Sequence, residues 1–288
     1  MKLPEINPKT AKKEIVNFIK EIKYKTSADG IVIGLSGGID STLVAYLLKE
    51  AIGSENIYSY HLATLTTPKE DTLHARLVAK LLDIEYKEIN IDTISEEFLN
   101  LASDKSGNEF DSKSNNKFDS KSSNEFNKNN KNKIAEGNLK ARIRMSLLYY
   151  FANLKNCLVA GTGNKSELLI GYFTKYGDGG CDFEPIGDMY KTQVKELAKS
   201  LNIPEEIIEK PPRAGLWENQ IDEDEIGLTY EVLDQLLYLI VDKKLTDEAI
   251  LNELNVFLSD INMVKDRITN NKHKLHSPPS PFKNEKLF

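Results

Sequence analysis

Gly34-Leu35-Ser36-Gly37-Gly38-Ile39-Asp40-Ser41 follows the apolar, β-branched run Ile31-Val32-Ile33 and opens an amphipathic stretch over 42–51. The order predicts a strand, a glycine turn and the start of a helix. A helix N-terminus gathers unpaired backbone N–H groups and the positive end of the helix dipole, and glycines let the backbone approach a ligand closely. The turn is therefore built to hold phosphate. Asp40 sets a carboxylate beside that pocket, where it would repel a phosphate unless a cation lay between them. A hydrated Mg2+ bridging protein and polyphosphate resolves the conflict, and the loop reads as an ATP site.

No Gly-Lys-Ser/Thr follows the glycines, so the loop is not a Walker A sequence and kinase or GTPase chemistry loses support. Ser36-Gly37-Gly38-Ile39-Asp40-Ser41 instead resembles the PP-loop of the ATP pyrophosphatases, which cut ATP between its α and β phosphates, leave AMP on a substrate and release pyrophosphate. Taken alone, the same residues also suit an ordinary tight turn. The sequence downstream separates the two.

Short apolar runs recur at 31–35, 57–62, 86–91 and 157–160, with helix-like spacers between the first three. This rhythm predicts an α/β fold, a doubly wound parallel sheet with helices on both faces, and ligands gather at the carboxyl ends of such strands. The fourth run ends in Gly161-Thr162-Gly163-Asn164, a second turn at the same edge as Ser36. From Tyr190 onward the pattern is mainly helical, with helices expected over 192–201, 228–241, 247–254 and 256–268. The segment 103–133 breaks the rhythm with an eight-residue repeat, Phe110-Asp111-Ser112-Lys113 then Phe118-Asp119-Ser120-Lys121 then Phe126. One Phe per repeat buries too little surface to offset the entropy of ordering, so the segment is expected to be an unstructured insertion within a single domain of residues 1–288.

With 288 residues, 40% of them hydrophobic, the chain supports one substantial core. A net charge of -6 argues against a general nucleic-acid or membrane-surface binder, because both present phosphate to an acidic surface. Residues 1–25 lack the apolar block of a signal peptide, and Ile15, Phe18, Ile19 and Ile22 fall instead on one helical stripe. No stretch is apolar enough to span a bilayer. Cys157 and Cys181 alone make no disulfide framework, and a reducing cytoplasm is the expected location.

Three runs after the insertion sharpen the chemistry: Gly137-Asn138-Leu139-Lys140-Ala141-Arg142-Ile143-Arg144-Met145, then Gly161 to Glu167, then Gly171-Tyr172-Phe173-Thr174-Lys175-Tyr176-Gly177-Asp178-Gly179-Gly180. Together with the Ser36 loop, Pro185-Ile186, Lys191 and Lys210-Pro211-Pro212, they resemble the ammonia-dependent NAD synthetases over essentially the whole chain outside the insertion. The resemblance implies that deamido-NAD, ATP and ammonia give NAD, AMP and pyrophosphate through an adenylated carboxylate. It places ATP binding on Gly34, Leu35, Ser36, Gly37, Gly38, Ile39, Asp40, Ser41, Thr162 and Lys191, and Mg2+ on Asp40 and Glu167. Lys191 is expected to be a mobile cation for the β and γ phosphates. In isolation Glu167 reads more readily as a solvated acid at a helix N-terminus, and Lys191 as a surface lysine.

The deamido-NAD positions implied are Arg142, Lys175, Asp182, His273 and Lys274, the basic ones suited to an anionic dinucleotide and Asp182 to ribose hydroxyls. Asp178 is the position for holding or deprotonating ammonium, although an Asp in a glycine-rich turn also serves the turn itself. Phe173 and Tyr176 suit stacking on a nicotinate ring or plain packing.

Two departures stand out. Arg213 occupies the ATP-contacting position where the family usually has Ser or Thr, so it offers a guanidinium in place of a hydroxyl. The insertion lies just ahead of Arg142. The polar stretch 218–225 beside Trp217 reads as a closing loop that keeps water from the adenylate. The resemblance also implies a homodimer, and free ammonia as the nitrogen donor, since no glutaminase segment is present. A tRNA-thiolating relative would want a basic surface and paired cysteines, and a passive nucleotide sensor would not need two metal carboxylates.

Overall fold

Ile31, Val32 and Ile33 are wholly excluded from solvent. The computed structural model, which describes residues 2–102, 121–217 and 220–279, shows what covers them. They lie in β1 (Gly30–Gly34), which pairs in parallel with β2 (Ile57–Ala63) on one side and, on the other, with a strand at Cys157–Ala160. With β3 at Glu85–Asn90, the Cys157–Ala160 strand becomes β4, and the sheet order is β3-β2-β1-β4. The four expected strands are all present.

The helices are α1 (Pro8–Thr26), α2 (Ile39–Ile52), α3 (Lys69–Leu82), α4 (Asp92–Ala102), α5 (Lys121–Leu154), α6 (Lys165–Ile170), α7 (Lys191–Ser200), α8 (Glu205–Ile208), α9 (Asp222–Ile226), α10 (Tyr230–Leu237), α11 (Asp247–Glu253) and α12 (Leu258–Asn271). Side chains alternate across a strand, so β1 serves two cores. Ile31 and Ile33 pack with Ile19 of α1, Leu43 and Leu47 of α2, Val78 of α3 and Val194 of α7. Val32 points the other way, to Tyr60, Val159 and Ile143 and Ala152 of α5. Helices on both faces of a parallel sheet are the doubly wound arrangement expected from the sequence. The stripe of α1 turns to the protein's own core: Ile19 is buried, and Phe18 meets Phe183 edge-on at 6.2 Å between ring centroids.

The C-terminal part has a core of its own, built on Tyr230, Leu233 and Leu237 of α10, Ile250 of α11 and Ile261 and Val264 of α12, with Ile170 of α6. The helix expected over 228–241 is shorter than its periodicity suggests. It ends at Leu237 and continues as a π-helical turn, Tyr238–Asp242. That turn brings Asp242 to accept hydrogen bonds from Lys165 Nζ (2.8 Å) and Tyr190 Oη (3.0 Å). Of the segment expected to be unstructured, 103–120 lies outside the described residues, whereas 121–133 forms the first turns of α5. Composition does not register a helix propagated outward from buried turns such as those at Ala141 and Ile143. No helix among the described residues is long and apolar enough to cross a membrane.

Candidate active site

A cavity of about 710 Å³ opens where β1, β2 and β4 end, lined by the Gly34–Asp40 turn, Thr162, Glu167, Lys191 and the loop from Pro211 to Trp217. The glycine turn is braced before any ligand arrives. Ser36 Oγ accepts the Gly38 N–H (3.2 Å) and lies 2.9 Å from Ser41 Oγ, which donates to the Gly38 carbonyl (3.2 Å). Gly37 has φ +82°, and a Cβ there would fall 2.1 Å from the Asp71 carbonyl oxygen, so only glycine fits. Lys210 Nζ, almost buried, donates to the Gly37 carbonyl (2.6 Å) and to Asp71 (2.7 Å). His61 Nδ1 sits 2.9 Å from the Leu35 carbonyl oxygen.

Asp40 lies in the first turn of α2 and Glu167 in the first turn of α6. Asn164 joins them: its side-chain oxygen caps α6 by accepting the Glu167 N–H (3.1 Å), and its amide donates to Asp40 (3.0 Å). Lys191 Nζ then donates to Asp40 (2.5 Å) and Glu167 (3.1 Å). The lysine is 2% exposed, against 19% and 17% for the two acids, so the expected mobile cation is in fact seated between them. Its backbone explains this, because the Lys191 N–H is tied to Ser166 Oγ (3.0 Å) and fixes where α7 begins. Asp234, with no exposed surface, accepts hydrogen bonds from Ser166 Oγ and from both the N–H and hydroxyl of Thr192 (2.8 Å each). A single buried acid thereby sets the starts of α6 and α7 together.

Burial, with the like charges of Asp40 and Asp222, pushes the Glu167 carboxyl up to about 7 against the pull of Lys191. Burial works to lower the Lys191 ammonium, yet Asp40 and Glu167 outweigh it and the net shift is upward. The trio is a compact, nearly self-neutralised charge cluster beside the glycine turn.

The structure divides the other predicted positions. Asp178 and Lys274 line the cavity, and so does Arg213, which is exposed. Asp178 accepts the Thr174 N–H (2.9 Å), and Lys274 Nζ donates to the carbonyls of Gly171 (2.6 Å) and Phe173 (2.9 Å). Arg142, Lys175 and His273 are linked outside the cavity, Arg142 Nε donating to the Lys175 carbonyl (3.3 Å) and Lys175 Nζ to the His273 carbonyl (2.7 Å). They form a basic rim that continues from Lys274. Asp182 is not brought to the cavity. Its carboxylate accepts the Val159 N–H (2.7 Å) and the Tyr149 hydroxyl (3.0 Å) at the edge of β4. Of the expected closing loop, 218–219 lies outside the described residues, and Trp217, Gln220 and Asp222 line the cavity.

Sequence reasoning passed over Asn164, Lys210, Arg144, Asp222 and Glu184. The first had a legible signal, since Asn164-Lys165-Ser166-Glu167 has the spacing of a capping box. Asp222, almost buried, accepts from Tyr172 Oη (3.1 Å) and carried no local signal.

The model of the family described as NAD synthase matches residues 11–278 of this chain. The chain belongs to the NAD synthase family. It is 45% identical to the NH(3)-dependent NAD(+) synthetase of Methanococcoides burtonii over 93% of both chains, and 46% identical to that of Methanocaldococcus jannaschii over 93% of this chain and 95% of the other. Among solved structures it is similar to NMN synthetase from Francisella tularensis (31% identity, TM-score 0.77, 96% of this chain and 99% of that one). It is also similar to NH3-dependent NAD synthetase from Campylobacter jejuni in complex with a nitrate ion (34%, TM-score 0.72, 96% and 99%).

In this member of the NAD synthase family a half-buried carboxylate backs the Thr162 turn. Glu184 accepts the Gly163 N–H (3.0 Å) and the Cys181 S–H (3.2 Å), and a Cβ on Gly161 would meet it at 2.3 Å. Burial, aided by the charge of Asp178, pushes the Glu184 carboxyl up to about 7 from an ordinary 4.5. Between those values the folded protein holds a proton that the unfolded chain releases, so this group makes stability fall as pH rises through the window. Glu184→Gln removes that term. The melting temperature of the variant relative to the parent should be more favourable at about pH 8 than at about pH 5, and a pH-independent difference would show that Glu184 titrates normally.

Proposed function

We propose that this chain is an ammonia-dependent NAD synthetase, a ligase that amidates the nicotinate carboxylate of deamido-NAD with ATP and ammonia, giving NAD, AMP and pyrophosphate. The observation that carries the reading is the meeting of Asp40, Glu167 and Lys191 beside the braced glycine turn, in a chain so similar to the NH(3)-dependent NAD(+) synthetases.

A carboxylate is a poor electrophile, because its charge is delocalised and oxide is a bad leaving group. Transfer of AMP from ATP to the carboxylate oxygen breaks the bond between the α and β phosphates and releases pyrophosphate. Ammonia then attacks the carbonyl carbon of the mixed anhydride, and AMP leaves. The N–H groups of the glycine turn and the α2 N-terminus hold phosphate oxygens. Lys191 exchanges its carboxylate partners for the charge that develops on the departing pyrophosphate. Asp40 and Glu167 would hold Mg2+, since one nitrogen already bridges them and they lie close enough to share a cation. When bound, the ion supplies further neutralisation of the phosphates.

Asp178 lines the same cavity, where it orients ammonium and accepts its proton. The basic rim of Arg142, Lys175 and His273, continuing from Lys274, suits the dinucleotide beyond its nicotinate end. Trp217 and the loop from Pro211 screen the adenylate from water. The reading carries with it a cytoplasmic location and a homodimer.

The likeness to an NMN synthetase favours one other substrate, nicotinate mononucleotide. Incubating the chain with ATP, Mg2+, ammonium and either compound separates the two. NAD, AMP and pyrophosphate formed in equal amounts from deamido-NAD is the expected result. Faster amidation of the mononucleotide would transfer the assignment, and no product from either would end it.

A further inference from the structure

Arg142 and Arg144 are two residues apart on α5, about 200° around the helix, and so they part company. Arg142 faces outward to the rim, whereas Arg144 lines the cavity. Arg144 Nε donates to the Leu62 carbonyl at the end of β2 (2.9 Å), which fixes the plane of its guanidinium. Its two terminal nitrogens make no hydrogen bond among the described residues, and no described carboxylate lies within ion-pair distance. Neither nitrogen is sealed in protein, because the one buried side-chain polar atom without a partner among the described residues is Thr42 Oγ1. The cation is desolvated along its stem and keeps a planar pair of donors for the cavity.

Leaving a guanidinium so placed costs free energy unless an anion completes it, and its fork matches two oxygens of a carboxylate or phosphate. Two features of the surroundings suit a reacting group. Asp178 lines the same cavity, and the Arg144 charge acts to hold its carboxyl down against the upward push of burial. The glycine turn lines that cavity as well, so Arg144 shares one space with the phosphate site and with Asp178. We propose that Arg144 is a binding residue whose terminal nitrogens hold an oxyanion of the reactants, the nicotinate carboxylate or a phosphate of ATP. This rests on the function proposed above and extends it to a residue with no assigned part in it.

Arg144→Ala tests it. The variant should lose about 100-fold or more in kcat/KM, the scale of one lost oxyanion donor. Millimolar methylguanidinium should restore a large part of that activity, while equal sodium chloride or methylammonium should not, because only a planar fork refills the vacated place. The KM that rises identifies the source: deamido-NAD for the carboxylate, ATP for the phosphate, with calorimetric binding of ATP alone weakened only in the second case. Unchanged kinetics for both substrates, or a loss that methylguanidinium cannot repair in a folded variant, overturns the proposal. Should the alanine variant fail to fold, Arg144→Met keeps the stem's volume and is held to the same KM criterion: a rise for one substrate supports the proposal and unchanged values overturn it. A parent enzyme that makes no NAD would sink the functional reading instead, whereas an active parent with an indifferent variant sinks only the role of Arg144.

Discussion

Lys191→Met is expected to cost the protein both stability and turnover. The substitution leaves Asp40 and Glu167 facing each other with their shared ammonium gone, at 19% and 17% exposure. Removing one partner from a buried ion pair typically destabilises by about 3–5 kcal/mol. Here the loss should fall at or below the low end, since water from the cavity reaches both acids and Glu167, already at about 7, takes up a proton readily. Turnover should suffer more, by about 100- to 1,000-fold in kcat, because a preorganised charge beside the departing pyrophosphate is lost. Denaturant unfolding and kcat at saturating substrates check the two parts separately. A variant with near-parental kcat would confine Lys191 to a structural role.

The paired substitutions Asp40→Asn and Glu167→Gln should separate chemistry from folding. Each amide keeps an oxygen to accept from Lys191 Nζ and nearly the same volume, and Asp40→Asn gives up only the acceptor used by the Asn164 amide. Glu167→Gln also removes a carboxyl that burial already disfavours as an anion. The expected result is a melting temperature close to the parent's, with kcat reduced about 100- to 1,000-fold in either single variant. Raising Mg2+ should recover little, since a neutral amide is a weak ligand for a hard cation. Parental Mg2+ dependence and turnover in both variants would remove these residues from the metal assignment.

Much of this arrangement could be read in the chain. Strands announced themselves as short apolar runs because a parallel sheet is covered on both faces, as Ile31, Val32 and Ile33 are. Asp40, Glu167 and Lys191 were legible because each opens a helix at the carboxyl edge of that sheet, and topology brings such positions together. Their mutual pairing was not, for the depth of Lys191 follows from the Ser166 and Asp234 contacts, which join residues far apart in sequence. Arg142 and Arg144 show a different limit: adjacent in a motif, they are separated by helical phase, and only the outward one was carried over from the family. Asp182 was carried over with the family's substrate positions, yet it is held by Val159 and Tyr149 at the sheet edge. Residues 121–133 show that a composition too dilute for a core still leaves open where a neighbouring helix begins.

Asp234 belongs to α10, in the C-terminal core, yet every donor that satisfies it comes from Ser166 or Thr192. An anion in that setting is tolerable only while both sides of the seam stay closed. The helical third of the chain is therefore a keystone for the Asp40, Glu167 and Lys191 cluster and not an appendage to it, and evolution could shorten or graft that third only by finding another way to moor the two helix starts.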